Sequence, residues 1–238
     1  MDGLRDSPII VALDHPEPEA AMRCVERLGP VVGRYKVGSV LFTRAGPPLV
    51  RGLTGRGLGV FLDLKFHDTP ATVAGAVASA LELGVEFLTV HASGGAAMIG
   101  AARSAIDRTG ARTRLLAVTV LTSLGETELQ QIAGPGSRPL AESVRALARL
   151  ALDAGADGLV AAAGEVAALR GDVGPGPLLV VPGICPSWSA ADHGGQVRTA
   201  TPAEALRAGA SHLVLGRAVT QAPDPADAVR RIQAEIAA

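Results

Sequence analysis

The sequence predicts an α/β fold in which eight parallel strands alternate with helices and close on themselves, a (β/α)8 barrel of the TIM type spanning residues 1–238 as one domain. Three observations carry this expectation. Short, nearly continuous apolar runs recur along the chain, as strands covered on both faces of a parallel sheet require. Amphipathic stretches rich in Ala, Leu and Arg separate them, with no long linker or low-complexity segment between two halves. At 238 residues and 48% hydrophobic content, the chain has the length and apolar mass of an α/β barrel that folds as a unit.

In order, the runs are Ile9 to Leu13, Tyr35 to Val37, Val60 to Leu64, Phe87 to Val90, Leu115 to Val120, Gly158 to Val160, Leu178 to Val181 and His212 to Leu215. Eight such units favour a closed barrel over an open doubly wound sheet. The helical signal is strongest at Pro139 to Ala154, where Leu140, Val144, Leu147, Leu150 and Ala151 share one face and Pro139 suits a first turn. Several helix-to-strand joins read Leu-Gly-Val, Ala-Gly-Ala-Asp-Gly or Ala-Gly-Ala-Ser, placing Gly where a helix end needs a left-handed residue.

Composition narrows the function. A formal net charge of −1 gives no reason to expect a nucleic-acid or anionic-membrane partner, so any anionic ligand must be held by local groups. Two cysteines, Cys24 and Cys185, are too few for a disulfide framework and suit a reducing cytoplasm. Met1 to Asp6 resembles neither a signal peptide nor a membrane span. No Cys/His cluster has metal-ligand spacing, so no metal is expected.

Polar residues gather at the C-terminal ends of the strands, where such barrels keep their active sites. Asp14 follows the first, Lys36 lies in the second, Asp63 and Lys65 end the third, and His91 ends the fourth. Thr119 and Thr122 follow the fifth, Pro182 the seventh, and Gly216-Arg217 the eighth. Lys36 and Lys65 are the only lysines in a chain that otherwise uses Arg, which points to a need for a compact ammonium at both places. In Asp63-Leu64-Lys65-Phe66-His67-Asp68, strand alternation puts Asp63 and Lys65 on one face, and Asp68 follows in a loop short enough to fold back. Carboxylates on either side of Lys65 favour its ammonium form, making it a proton donor rather than a base.

The ordered set Asp14, Tyr35-Lys36-Val37-Gly38, Asp63-x-Lys65-x-x-Asp68-x-x-x-Thr72, Val90-His91-Ala92, Pro182-Gly183-Ile184 and Gly216-Arg217 resembles the orotidine 5'-phosphate decarboxylase family, bacterial type, over nearly the whole chain. The resemblance implies cofactor-free and metal-free conversion of orotidine 5'-phosphate to uridine 5'-phosphate (UMP), the last step of de novo pyrimidine synthesis. It makes Lys65 the proton donor in a Lys36/Asp63/Lys65/Asp68 charge network, and it places Asp14 and Lys36 at the ribose hydroxyls. It implies a homodimer with shared active sites, Asp68 and Thr72 reaching the neighbouring subunit's site. Read alone, Thr72 is equally an ordinary first-turn helix residue. Thr122, with Ser123 as a further candidate, sits where hydroxyls can meet the base.

Gly216-Arg217 offer backbone N–H groups, a helix dipole and a guanidinium fork to a phosphate. The segment from Gly183 to Thr199, holding the only tryptophan, Trp188, is the candidate lid. Within it Gln196 matches the family's lid glutamine. There the chain departs from the family: the usual Pro-Gly-Ile-Arg reads Pro182-Gly183-Ile184-Cys185, so a phosphate-binding Arg is replaced by a neutral residue. Two rival readings remain: a metal-dependent sugar-phosphate decarboxylase or aldolase sharing the Asp-x-Lys-x-x-Asp core, and a nucleotide-binding barrel with impaired catalysis.

Overall fold

The computed structural model describes residues 6–134, 136–189 and 199–237. Eight strands close into a barrel in sequence order: β1 (Ile9–Ala12), β2 (Arg34–Gly38), β3 (Gly59–Phe66), β4 (Phe87–His91), β5 (Arg114–Val118), β6 (Gly158–Val160), β7 (Leu178–Val181) and β8 (His212–Leu215). Every neighbouring pair is parallel, and β8 closes on β1 through Ile9↔Leu213 and Val11↔Leu215. Each apolar run read from the sequence is a strand.

The helices are α1 (Pro18–Leu28), α2 (Ser39–Thr54), α3 (Pro70–Leu81), α4 (Gly95–Thr109), α5 (Glu126–Ala133), α6 (Leu140–Asp153), α7 (Val166–Val173), α8 (Pro202–Arg207), α9 (Arg217–Thr220) and α10 (Pro225–Ala237). The expected helix over 139–154 is α6, but Pro139 stands just outside its first turn, with extended backbone (ψ 153), as its N-cap. The expected left-handed glycines Gly84, Gly155 and Gly209 have φ of 69, 99 and 106°. No helix among the described residues is long and apolar enough to cross a membrane.

Period-two alternation divides the apolar residues into two clusters. Ile10, Ala12, Phe61, Phe87, Leu116, Val118, Val160, Val180 and Val214 fill the barrel interior. Their neighbours along each strand, such as Val11, Leu115, Leu159 and Leu213, join the larger cluster under the helices. Gly158 is dictated by closeness: a Cβ there would stand 2.4 Å from the Leu178 carbonyl oxygen of β7.

The N-terminal end of the barrel is plugged. Arg34 donates through Nε to Glu86 Oε1 at 2.9 Å and through Nη1 to the Ser7 carbonyl at 2.9 Å. The Phe87 ring packs edge-on against His212. Burial pushes His212 down to about 4, so at neutral pH its ring is uncharged. With that end closed, the opposite mouth is where a ligand can enter.

Candidate active site

A cavity of about 700 Å³ opens at the C-terminal mouth. Its floor is the interior cluster itself, including Ala12, Phe61, Val118, Val160 and Val214, and its wall carries the polar groups. A concave apolar floor with a few convergent polar groups is the usual form of a small-molecule site.

The charges sit in an alternating row. Lys36 Nζ donates to Asp14 Oδ1 at 2.9 Å and lies 3.9 Å from Asp63 Oδ2. Lys65 Nζ stands 2.9 Å from both Asp63 oxygens. Asp63, only 9% exposed, and Lys36 are the most buried members of the row, each with an opposite charge beside it, the condition under which burial is tolerated, while Asp14 at the end of the row is exposed.

The backbone that builds this row departs from the expected pleat. β3 pairs with β4 as Leu62↔Leu88 and then Phe66↔Val90, so four steps along β3 match two along β4. The extra residues form a bulge in which Lys65 takes φ 52°, the only left-handed non-glycine among the described residues. Asp63 and Lys65 do meet, but through this bulge rather than simple alternation. Such strain in a side-chain-bearing residue is costly and concentrates at functional sites.

The reach of Asp68 is corrected too. It does not fold back onto Lys65: its Oδ1 accepts the Thr69 N–H at 2.6 Å, and among the described residues it makes no ion pair. Asp14 takes the fourth place in the row. Thr72 is exposed, its hydroxyl 3.0 Å from that of Thr69, at the start of α3. Neither Asp68 nor Thr72 lines the cavity of its own chain.

Thr122, Pro182, Cys185, Gly216 and Arg217 all line it. Ser123 is exposed and does not, and Thr119 turns inward, its hydroxyl directed at the Val160 carbonyl. Arg217 opens α9, a single turn of four residues, so the helix-dipole contribution expected there is small. Cys185 is fixed by its N–H donating to the Ala200 carbonyl at 2.9 Å, and burial raises its thiol, leaving it neutral. Gln196 lies outside the described residues, as does most of the candidate lid.

His15, Ser189, Thr220 and Gln221 line the cavity without having been read from the sequence. His15 directly follows Asp14, a position that signals it; the other three lie on the loop after β7 or on the turn ending α9, where sequence pattern carries no direction. Behind the row, His67 and His91 stack with ring centroids 5.4 Å apart. Burial, then the neighbouring His67 and Lys65, hold His91 below its ordinary value, consistent with a structural rather than proton-transferring role.

The chain is 50% identical over 232 residues to an orotidine 5'-phosphate decarboxylase of Chromohalobacter salexigens, covering 98% of this chain and 97% of that one. It is 53% identical over 228 residues to an orotidine 5'-phosphate decarboxylase of Anaeromyxobacter dehalogenans, covering 95% and 96%. The crystal structure of orotidine 5'-phosphate decarboxylase from Lactobacillus acidophilus superposes with a TM-score of 0.85 at 38% identity, covering 98% of this chain and all of that one. The model of the orotidine 5'-phosphate decarboxylase / HUMPS family matches residues 7–232, and the chain belongs to that family.

Proposed function

We propose that the chain converts orotidine 5'-phosphate to UMP and carbon dioxide, completing de novo pyrimidine nucleotide synthesis, with the whole barrel acting as one catalytic domain. The observation that carries the reading is the Lys65 ammonium, held 2.9 Å from Asp63 on a strained bulge at the wall of the cavity. Breaking the bond between ring and carboxylate leaves its electron pair on a ring carbon. Lys65 Nζ stabilises that developing charge and then delivers its proton to the same carbon. Asp63, beside the departing carboxylate, adds a secondary like-charge destabilisation that vanishes as carbon dioxide leaves. The reading needs neither a metal nor an organic cofactor.

Asp14 and Lys36 serve the ribose hydroxyls, Thr122 and the Pro182 segment the base, and Gly216 and Arg217 the phosphate, with Gln196 assigned to the lid. Asp68 and Thr72 act across a homodimer interface. Their exposure, and their absence from the cavity of their own chain, support that assignment. So does Val40, a large apolar side chain 68% exposed beside a groove that Lys36, Asp63 and Lys65 also line. The enzyme works in the cytoplasm, where its thiols stay reduced.

The test follows absorbance loss of orotidine 5'-phosphate in excess chelator. Turnover that persists supports the reading. Turnover lost in chelator and regained with a divalent metal points instead to metal-dependent sugar-phosphate chemistry, and UMP binding without turnover to a barrel with impaired catalysis.

A further inference from the structure

Thr89 stands in the middle of β4, in the apolar run Phe87-Leu88-Thr89-Val90, and is fully buried. A hydroxyl buried among aliphatic neighbours is unfavourable unless both its donor and its acceptor capacity are used. Here both are. Thr89 Oγ1 is 3.0 Å from Asp63 Oδ1 and 2.9 Å from the Lys65 backbone nitrogen. The directions are fixed by chemistry: an ionised carboxylate can only accept, so the hydroxyl donates to Asp63, and its oxygen accepts the Lys65 N–H.

The β3–β4 ladder lapses between Leu62↔Leu88 and Phe66↔Val90, leaving the amide of Lys65 without a strand partner at the one non-glycine residue among those described whose backbone is left-handed. The hydroxyl fills that gap. Its oxygen holds the backbone of one member of the ion pair while its proton holds the carboxylate of the other. Threonine suits the task because branching at Cβ restricts its rotamers, so the hydroxyl itself is held in place.

We infer that Thr89 is the positioning residue of this site, a single buried hydroxyl that locks the strained Lys65 backbone and the Asp63 carboxylate into register with each other. The inference rests on the decarboxylase reading for its kinetic consequence, but its structural content stands apart from turnover.

The experiment compares wild type with Thr89→Val, nearly isosteric and lacking the hydroxyl, and Thr89→Ser, which restores it. Loosening both groups predicts a fall in kcat of about 10- to 100-fold in the valine variant. KM and the dissociation constant for UMP should stay within about threefold, because the contacts to the bound nucleotide remain. Amide exchange at Lys65 should accelerate at least about fivefold once its acceptor is gone. Thr89→Ser should recover most of kcat and the slow exchange. Thr89→Ala serves the same comparison should the valine variant not fold.

Wild-type kcat and wild-type Lys65 exchange in Thr89→Val overturn the inference. Equal loss in valine and serine variants with lowered melting temperatures also overturns it, since that pattern reports packing. A wild-type protein without turnover would defeat the decarboxylase reading, and the Lys65 exchange comparison would still decide the role of Thr89.

Discussion

Replacing Cys185 with arginine should tighten binding of the phosphorylated ligand and leave the bare nucleoside unaffected. Cys185 shares the cavity wall with Gly216 and Arg217 and sits on a backbone pinned by its bond to the Ala200 carbonyl and by the Ile184↔Ala200 bridge. Its thiol, raised by burial, presents no charge to a phosphate near neutral pH. A charge-assisted hydrogen bond contributes about 1.5–3 kcal/mol in a dry setting. The position is only half-buried, so screening reduces the expected gain to about 1–1.5 kcal/mol, roughly five- to tenfold in affinity. Initial rates should show KM falling by that factor with kcat within about twofold, because the phosphate lies far from the reacting carbon. Calorimetry should show the same gain for UMP and none for uridine. An unchanged UMP constant, or an equal gain for uridine, would refute the placement of the phosphate beside Cys185.

Three further outcomes are expected. Mixing inactive Lys65→Ala and Asp68→Asn proteins and letting subunits exchange should restore about a quarter of wild-type activity, since only one site of each heterodimer then holds both residues; no recovery at any mixing ratio counts against shared sites. His212, lowered by burial to about 4, binds fewer protons folded than unfolded. Its contribution is therefore fully present above pH 6.5 and is lost as pH falls from there towards 4, a decline of about 3 kcal/mol in urea unfolding that should vanish in His212→Gln. Arg231→Ala should shift the emission of Trp188, the only tryptophan, because the guanidinium now lies 3.9 Å from its ring centroid on the root of the loop after β7; an unaltered spectrum would show that the stack does not persist in solution.

The barrel was legible because its signals are local. An apolar run of a few residues bounded by turn chemistry identifies a strand whatever its neighbours do, and a glycine such as Gly155 marks a helix end by its own conformational freedom. Most of the site was legible for a related reason: the polar residues gathered at and just beyond the strand ends stand at the mouth, and Asp14, Lys36, Asp63, Lys65, Thr122, Cys185 and Arg217 line the cavity, whereas His91 and Thr119, equally close to strand ends, do not. What failed was anything set by backbone irregularity. Simple alternation cannot register a bulge, so the left-handed Lys65 and the separation of Asp68 from it were invisible. Thr89 was the one polar residue within the apolar run Phe87 to Val90, a signal in itself, but its partners lie on the neighbouring strand 24 and 26 residues away. The short α9 was likewise beyond reach, because helix length depends on what its last turn packs against.

The most direct test of the account is kcat for Lys65→Ala beside wild type, with the UMP dissociation constant measured on both. A group that both stabilises the developing charge and supplies the proton should cost at least about 10³-fold in kcat when removed, with UMP binding still measurable. Turnover within about tenfold of wild type would mean that another group donates the proton and that the Asp63–Lys65 pair is structural.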